Sequence, residues 1–122
     1  MTQLTPDQIT QIERHLAELV CGWKLGCLGS SYFLGEEMQI RVAEWHPLSN
    51  PSQAAMVREK MRERRCIYKL EARLTGETPF WASFIPISDW NFLKIFSEGV
   101  WFAPTESEAS GVAAALATGF KL

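Results

Sequence analysis

Side chains able to move a proton or hold a metal are sparse in this chain. Its only histidines are His15 and His46, whereas hydrolysis or group transfer needs a positioned pair of acid and base groups. His15 sits mid-helix beside an apolar stripe, which fits an ordinary, partly exposed side chain. His46 follows Trp45 in the sequence WHP, a loop setting in which a histidine can face a ligand. The cysteines Cys21, Cys27 and Cys66 form an odd set without metal-ligand spacing. They are expected to be small buried thiols kept reduced inside a cell. No GxSxG, P-loop, HxT, HxxxH or CxxC pattern is present. The expectation is a protein that is not an enzyme, carries no metal or cofactor, and acts by binding.

Two groups of residues could supply that binding. From Arg58 to Arg65 the sequence REKMRERR holds five basic and two acidic side chains. Cations near a helix C-terminus are favoured by the helix dipole, and a solvated charged face explains them equally well. The sharper reading is an anion site in which Arg62, Arg64 or Arg65, with Arg41, Lys69 or Arg73, grips phosphates through forked guanidinium contacts. The second group is the five tryptophans, at 23, 45, 81, 90 and 101. Trp45, His46 and Trp81 are candidates for a ligand wall. Trp81 alternates with Phe80, Ala82 and Phe84, so either both faces of its strand are covered or Trp81 is free for contact. Trp90, Phe92, Phe96, Trp101 and Phe102 crowd one segment and suit self-association, or a flat base-stacking platform.

The elements that must hold these residues are marked by caps and periods. Thr5, Pro6 and Gln8 open a helix running to Val20, with Ile9, Ile12, Leu16, Leu19 and Val20 on one stripe and Gly22 closing it. Residues 22–36 (GWKLGCLGSSYFLGE) read as loop with a short strand. Met38, Ile40 and Val42 alternate as a half-buried strand. Asn50 caps a second helix that reaches Arg64, with Ala54, Val57 and Met61 facing inward. The alternation from Cys66 to Leu74, the turn TGETP, and Phe80, Ala82 and Phe84 predict an antiparallel hairpin. Residues 86–103 fit a second hairpin or a short helix. Thr105 caps the last helix, with Glu108 as the partner in a capping box and Gly119 at its end.

The order α-β-α-β-β-(β-β)-α predicts an α+β fold: one small, mostly antiparallel sheet with helices packed on it as an α/β/α sandwich. At 122 residues a single domain spanning 1–122 is expected. The composition, 47% hydrophobic and 21% charged, is that of an ordered globular chain. A net charge of -2 excludes general nucleic-acid binding, which requires a surplus of cations on one face. No run approaches the ~20 apolar residues that span a bilayer, and the start lacks a signal-peptide pattern, so a cytoplasmic protein with no membrane partner is expected.

The GWK at 22–24, the helix SNPSQAAMVREKMRER, the Trp-bearing hairpin and the ending TESEASGVAAALATGF together resemble the phage ABA sandwich domain. The resemblance spans most of the chain and rests on helix ends and scattered aromatics. It implies a small protein encoded by a phage or prophage, of a family with no assigned activity. The glycine-rich stretch 25–36 and the aromatic segment 86–103 depart from the family pattern, and added segments on a small scaffold often carry its specific function. By analogy with small phage proteins, the expected role is to counter host antiviral defence. In one form the chain is a homo-oligomeric sponge that sequesters a cyclic nucleotide or ADP-ribose-type signal. In a second it is an inhibitor that docks on a host defence protein through residues 86–103 or Glu98, Glu106 and Glu108. A structural or assembly role in the virion is a third reading.

Overall fold

Helix α1 (Pro6–His15) starts where the sequence marks it: Thr5 accepts from the Gln8 N–H while the Gln8 side chain accepts from the Thr5 N–H. The computed structural model describes residues 3–35, 38–73, 76–86 and 100–122. Beyond His15 the helix widens into a π-helical turn, Leu16–Val20. That turn advances each residue through a smaller angle than an α-helix does. Leu16, Ala17 and Val20 stay buried, but Leu19, expected on the apolar stripe, is turned out to solvent. Gly22, at φ 73°, then reverses the chain in the left-handed region.

The next three strands, β1 (Lys24–Leu25), β2 (Ser31–Phe33) and β3 (Gln39–Arg41), form an antiparallel sheet of their own. The stretch expected to be loop with one short strand is thus a small hairpin, and the expected single sheet is two. These strands are only two or three residues long, too short to bridge to the second sheet across the helices. β3 ends at Arg41, and Val42–Glu44 form a 3-10 turn instead of continuing the strand.

Helix α2 (Pro51–Glu63) is capped by the Asn50 side chain, which accepts from the Ser52 and Gln53 N–H groups. β4 (Cys66–Ala72), β5 (Phe80–Pro86) and β6 (Trp101–Ala103) make the second antiparallel sheet. Cys66 pairs with Pro86, Ala72 with Phe80, and Trp81 with Phe102. Helix α3 (Glu106–Ala117) is buried almost all round from Ser107 to Ala115. Its small side chains let α1, α2 and β5 approach closely, and a Cβ at Gly111 would stand 2.3 Å from Leu48 Cδ2. Thr105 caps α3 by accepting from the Glu108 N–H. Only half of the expected capping box forms, because the Glu108 carboxylate accepts from Trp101 Nε1 at 3.5 Å instead.

The layers follow: α2 and α3 lie on the second sheet, and α1 with its π turn lies on α3. Ile12, Leu16, Val57, Met61, Ala82, Phe84, Val112 and Ala113 form the core between them. The α+β class, the antiparallel pairing and the helices packed on sheet stand as predicted. Cys21 is buried, with its thiol pKa pushed up to about 12 by burial, whereas Cys27, expected inside, is exposed.

Candidate binding surface

The first sheet divides its residues strictly by face. Leu25, Tyr32 and Ile40 stand abreast on the inner side, where Tyr32 is buried against Trp23, whose ring lies 4.6 Å from that of Trp45. Lys24, Phe33 and Gln39 stand abreast on the outer side, followed by Ser31 and Arg41. Phe33 lies across Gly26, where a Cβ would come within 2.7 Å of its ring, so a larger residue there would displace the Phe33 side chain. Phe33 is 44% exposed, Leu28 in the β1–β2 turn 89%, and Met38 before β3 66%. A shallow recess of about 170 Å³ runs between Gly26, Cys27, Leu28, Phe33 and Gln39.

A cleft of about 290 Å³ separates this sheet from α1, lined by Thr10, Glu13, Arg14, Leu25, Tyr32, Val42, Trp45 and His46 among others. His46 is held at its mouth on three sides. Its N–H donates to Gln53 Oε1, its Nδ1 lies 3.3 Å from Glu13 Oε1, and its Nε2 lies 2.7 Å from the Ala43 carbonyl oxygen. Gln53 also donates to the Glu44 carbonyl, tying the 3-10 turn to α2. Both ring nitrogens face acceptors, an arrangement that suits the doubly protonated cation. The Glu13 and Ala43 contacts accordingly raise the His46 pKa above its ordinary value. Burial raises that of Glu13, against the opposing pull of His46. Neither nitrogen is open to take a proton from a substrate without losing a contact.

The residues expected to bind ligand separate in the structure. Arg41 and His46 border the first sheet and its cleft, and both are exposed. Trp45 also lines the cleft, but at 2% exposure its indole is part of the core and donates to the Glu13 carbonyl at 2.8 Å. It cannot serve as an open stacking wall. Arg62 lines a different recess with Ala55, Arg58, Tyr68 and Phe84, and is forked onto Glu59 at 2.6 and 3.1 Å. Arg65 sits in the turn after α2 at φ 61°. Trp81 is on the second sheet, 7% exposed, donating to Glu71 Oε2 at 3.1 Å with Lys69 over its ring.

The basic segment of α2 is paired only in part: Lys60 pairs with Glu63 and Arg62 with Glu59, while Arg64 donates to the Leu19 carbonyl and Arg58 to Ser110, neutral acceptors that leave those charges in place. The two ion pairs fit a solvated helix face, and Arg58 and Arg62 both line one recess. Of the residues expected to self-associate, Trp90, Phe92 and Phe96 lie outside the described residues. Trp101 is half-buried against α3, and Phe102 is exposed beneath the Arg73 guanidinium at 4.8 Å.

Sequence reasoning missed Glu13, Arg14 and Tyr32, which reach the cleft only through the packing of α1 on the first sheet. It also missed Leu28 and Phe33, although the apolar residues between glycines in 25–36 were their visible signal, and it placed Met38 on the buried side of a strand, whereas Met38 precedes β3 and is exposed. Among the described residues, no group of three or more His, Cys, Asp or Glu side chains could hold a metal ion. No helix among them is long and apolar enough to cross a membrane.

No family model matches the chain, and no curated protein matches it in sequence. Its fold is similar to the crystal structure of a phage protein from Bacillus cereus ATCC 14579. The TM-score is 0.64 with 13% identity, over 96% of this chain and 98% of that one.

Proposed function

We propose that the chain is a phage-encoded accessory protein, related to the phage ABA sandwich domain, that binds a partner in the host cytoplasm without catalysis. The first sheet is its contact face, and the partner is a host defence protein that it inhibits. The observation carrying this reading is the exposure of Leu28 and Phe33 beside one shallow recess of the first sheet, with Met38 exposed just before β3 and Lys24 and Arg41 flanking them. Apolar side chains clustered at the surface within a polar rim mark interaction sites. Leu28 and Phe33 fall in the stretch 25–36 that departs from the family pattern, and Met38 lies just beyond it. The likeness of the whole fold to a phage protein supports the phage origin.

A protein partner is favoured over a small ligand because the two clefts along this sheet, about 170 and 290 Å³, lie below the ~300–1,000 Å³ typical of small-molecule sites. The test is capture of host proteins on the immobilised chain and on Leu28→Asp and Phe33→Asp variants. A host protein retained by wild type and lost from both variants supports the reading. Equal retention by all three overturns it.

The second reading, sequestration of a nucleotide-derived signal, draws on one feature: Arg14 and His46, whose pKa the Glu13 and Ala43 contacts raise, stand over the cleft backed by Tyr32 and Trp45. Native mass spectrometry after mixing with an extract from defence-triggered bacteria tests it. A discrete nucleotide-sized adduct, absent from Arg14→Ala, would favour the sponge.

A further inference from the structure

We propose that the outer edge of β4 is a self-complementary homodimer interface, on which β4 of a second copy pairs antiparallel about Leu70. The inference is independent of the partner-binding face, which lies on the other sheet. β4 is an edge strand of the order β4-β5-β6 and, among the described residues, the longest edge without a paired neighbour, since β6 spans only three residues. In an antiparallel ladder alternate residues point their backbone groups to opposite neighbours. Arg73 donates its N–H to the Pro79 carbonyl at 2.6 Å, so Arg73, Glu71, Lys69 and Ile67 face β5. Tyr68, Leu70 and Ala72 therefore turn their N–H and C=O groups outward, and among the described residues no strand pairs with them.

Charge selects the occupant and the register. On the face shared with Trp81, Lys69 and Glu71 are exposed neighbours, with Nζ and Oε1 3.5 Å apart. An exposed lysine normally guards a strand edge against pairing. A twofold axis through Lys69 or through Glu71 would set like charges directly opposite. An axis through Leu70 instead sets Lys69 opposite Glu71 of the other copy, twice. The same register brings Leu70 opposite Leu70 and Tyr68 opposite Ala72, the outward-facing groups, for about six interchain hydrogen bonds, two per facing pair. Leu70 is only partly buried in the monomer and meets its own counterpart on the helix-covered face. The product is a continuous six-stranded antiparallel sheet with one isologous interface.

The test is sedimentation equilibrium of the full chain with Lys69→Glu, Glu71→Lys and the double swap, each checked for folding by circular dichroism. Wild type is expected to be a dimer. Each single variant places like charges opposite at both pairs and should weaken the dimer by on the order of tenfold or more. The double swap should restore it, and mixing the two single variants should give a heterodimer, a result that general loss of stability cannot produce. A monomeric wild type at its highest soluble concentration overturns the proposal. So does a dimer whose affinity is unchanged in both single variants.

Discussion

Replacing Trp45 by phenylalanine separates a structural anchor from a ligand wall. Trp45 is the largest of the fully buried side chains, and its indole joins the loop before α2 to the end of α1 through the 2.8 Å bond to the Glu13 carbonyl. Phenylalanine keeps an aromatic ring but removes the donor, a net loss of about 1 kcal/mol for an ordinary hydrogen bond. The smaller ring also leaves unfilled volume beside Trp23, worth roughly 1–2 kcal/mol where the surroundings do not collapse. The sum, about 2–3 kcal/mol, should lower Tm by about 6–12 °C in a chain of this size. Thermal unfolding followed by far-ultraviolet circular dichroism reads the effect directly. A fall of less than about 2 °C would mean that Trp45 is not packed as described, and would return it to the role of an exposed contact.

The two histidines should titrate on opposite sides of the ordinary value near 6.5. The Glu13 and Ala43 contacts raise His46, whereas burial, followed by the nearby Arg64 cation, lowers His15. In nuclear magnetic resonance titration the imidazole signals should therefore part, and coincident midpoints would contradict both environments. By linkage, the stability contributed by His46 is fully present below about 6.5 and is lost as pH rises through its raised folded value. The His15 contribution runs the other way, increasing as pH rises from its lowered folded value to about 6.5. The stability advantage of wild type over His46→Gln should thus shrink from pH 6 to pH 8, and a constant difference would count against the Glu13 contact. Arg65 holds a left-handed backbone at φ 61° where helices commonly end in glycine. Arg65→Gly should stabilise the fold by about 0.5–1 kcal/mol in urea unfolding. A loss of stability would show that the arginine side chain itself holds the turn.

The short-range features were legible in the sequence because each depends on atoms a few residues apart. Thr5, Asn50 and Thr105 cap their helices through their own side chains. Gly22 and Gly119 close helices by a conformation that costs glycine little. The alternation from Cys66 to Ala72 and from Phe80 to Phe84 appears as the expected hairpin. The register of Glu71 with Trp81, by contrast, depends on the whole ladder. The end of α1 was misjudged at Leu19 because an α-helical period cannot show a π turn, which shifts every later side chain around the axis. Spacing alone marks Glu108 as a capping partner, yet Trp101, seven residues away, competes for its side chain and wins.

The candidate surface lay furthest from view. By itself the sequence determined an α+β chain with capped helices, an antiparallel hairpin and a glycine-rich stretch with apolar residues on both sides. Which of those apolar residues are core and which face water was decided by tertiary packing, since Trp23 and Trp45 shield Tyr32 on one side of the small sheet and leave Phe33 on the other. Proximity of Glu13 to His46 and of Lys69 to an open strand edge was decided in the same way. A side chain's periodicity depends on its own backbone, whereas its neighbours depend on where every other element comes to rest.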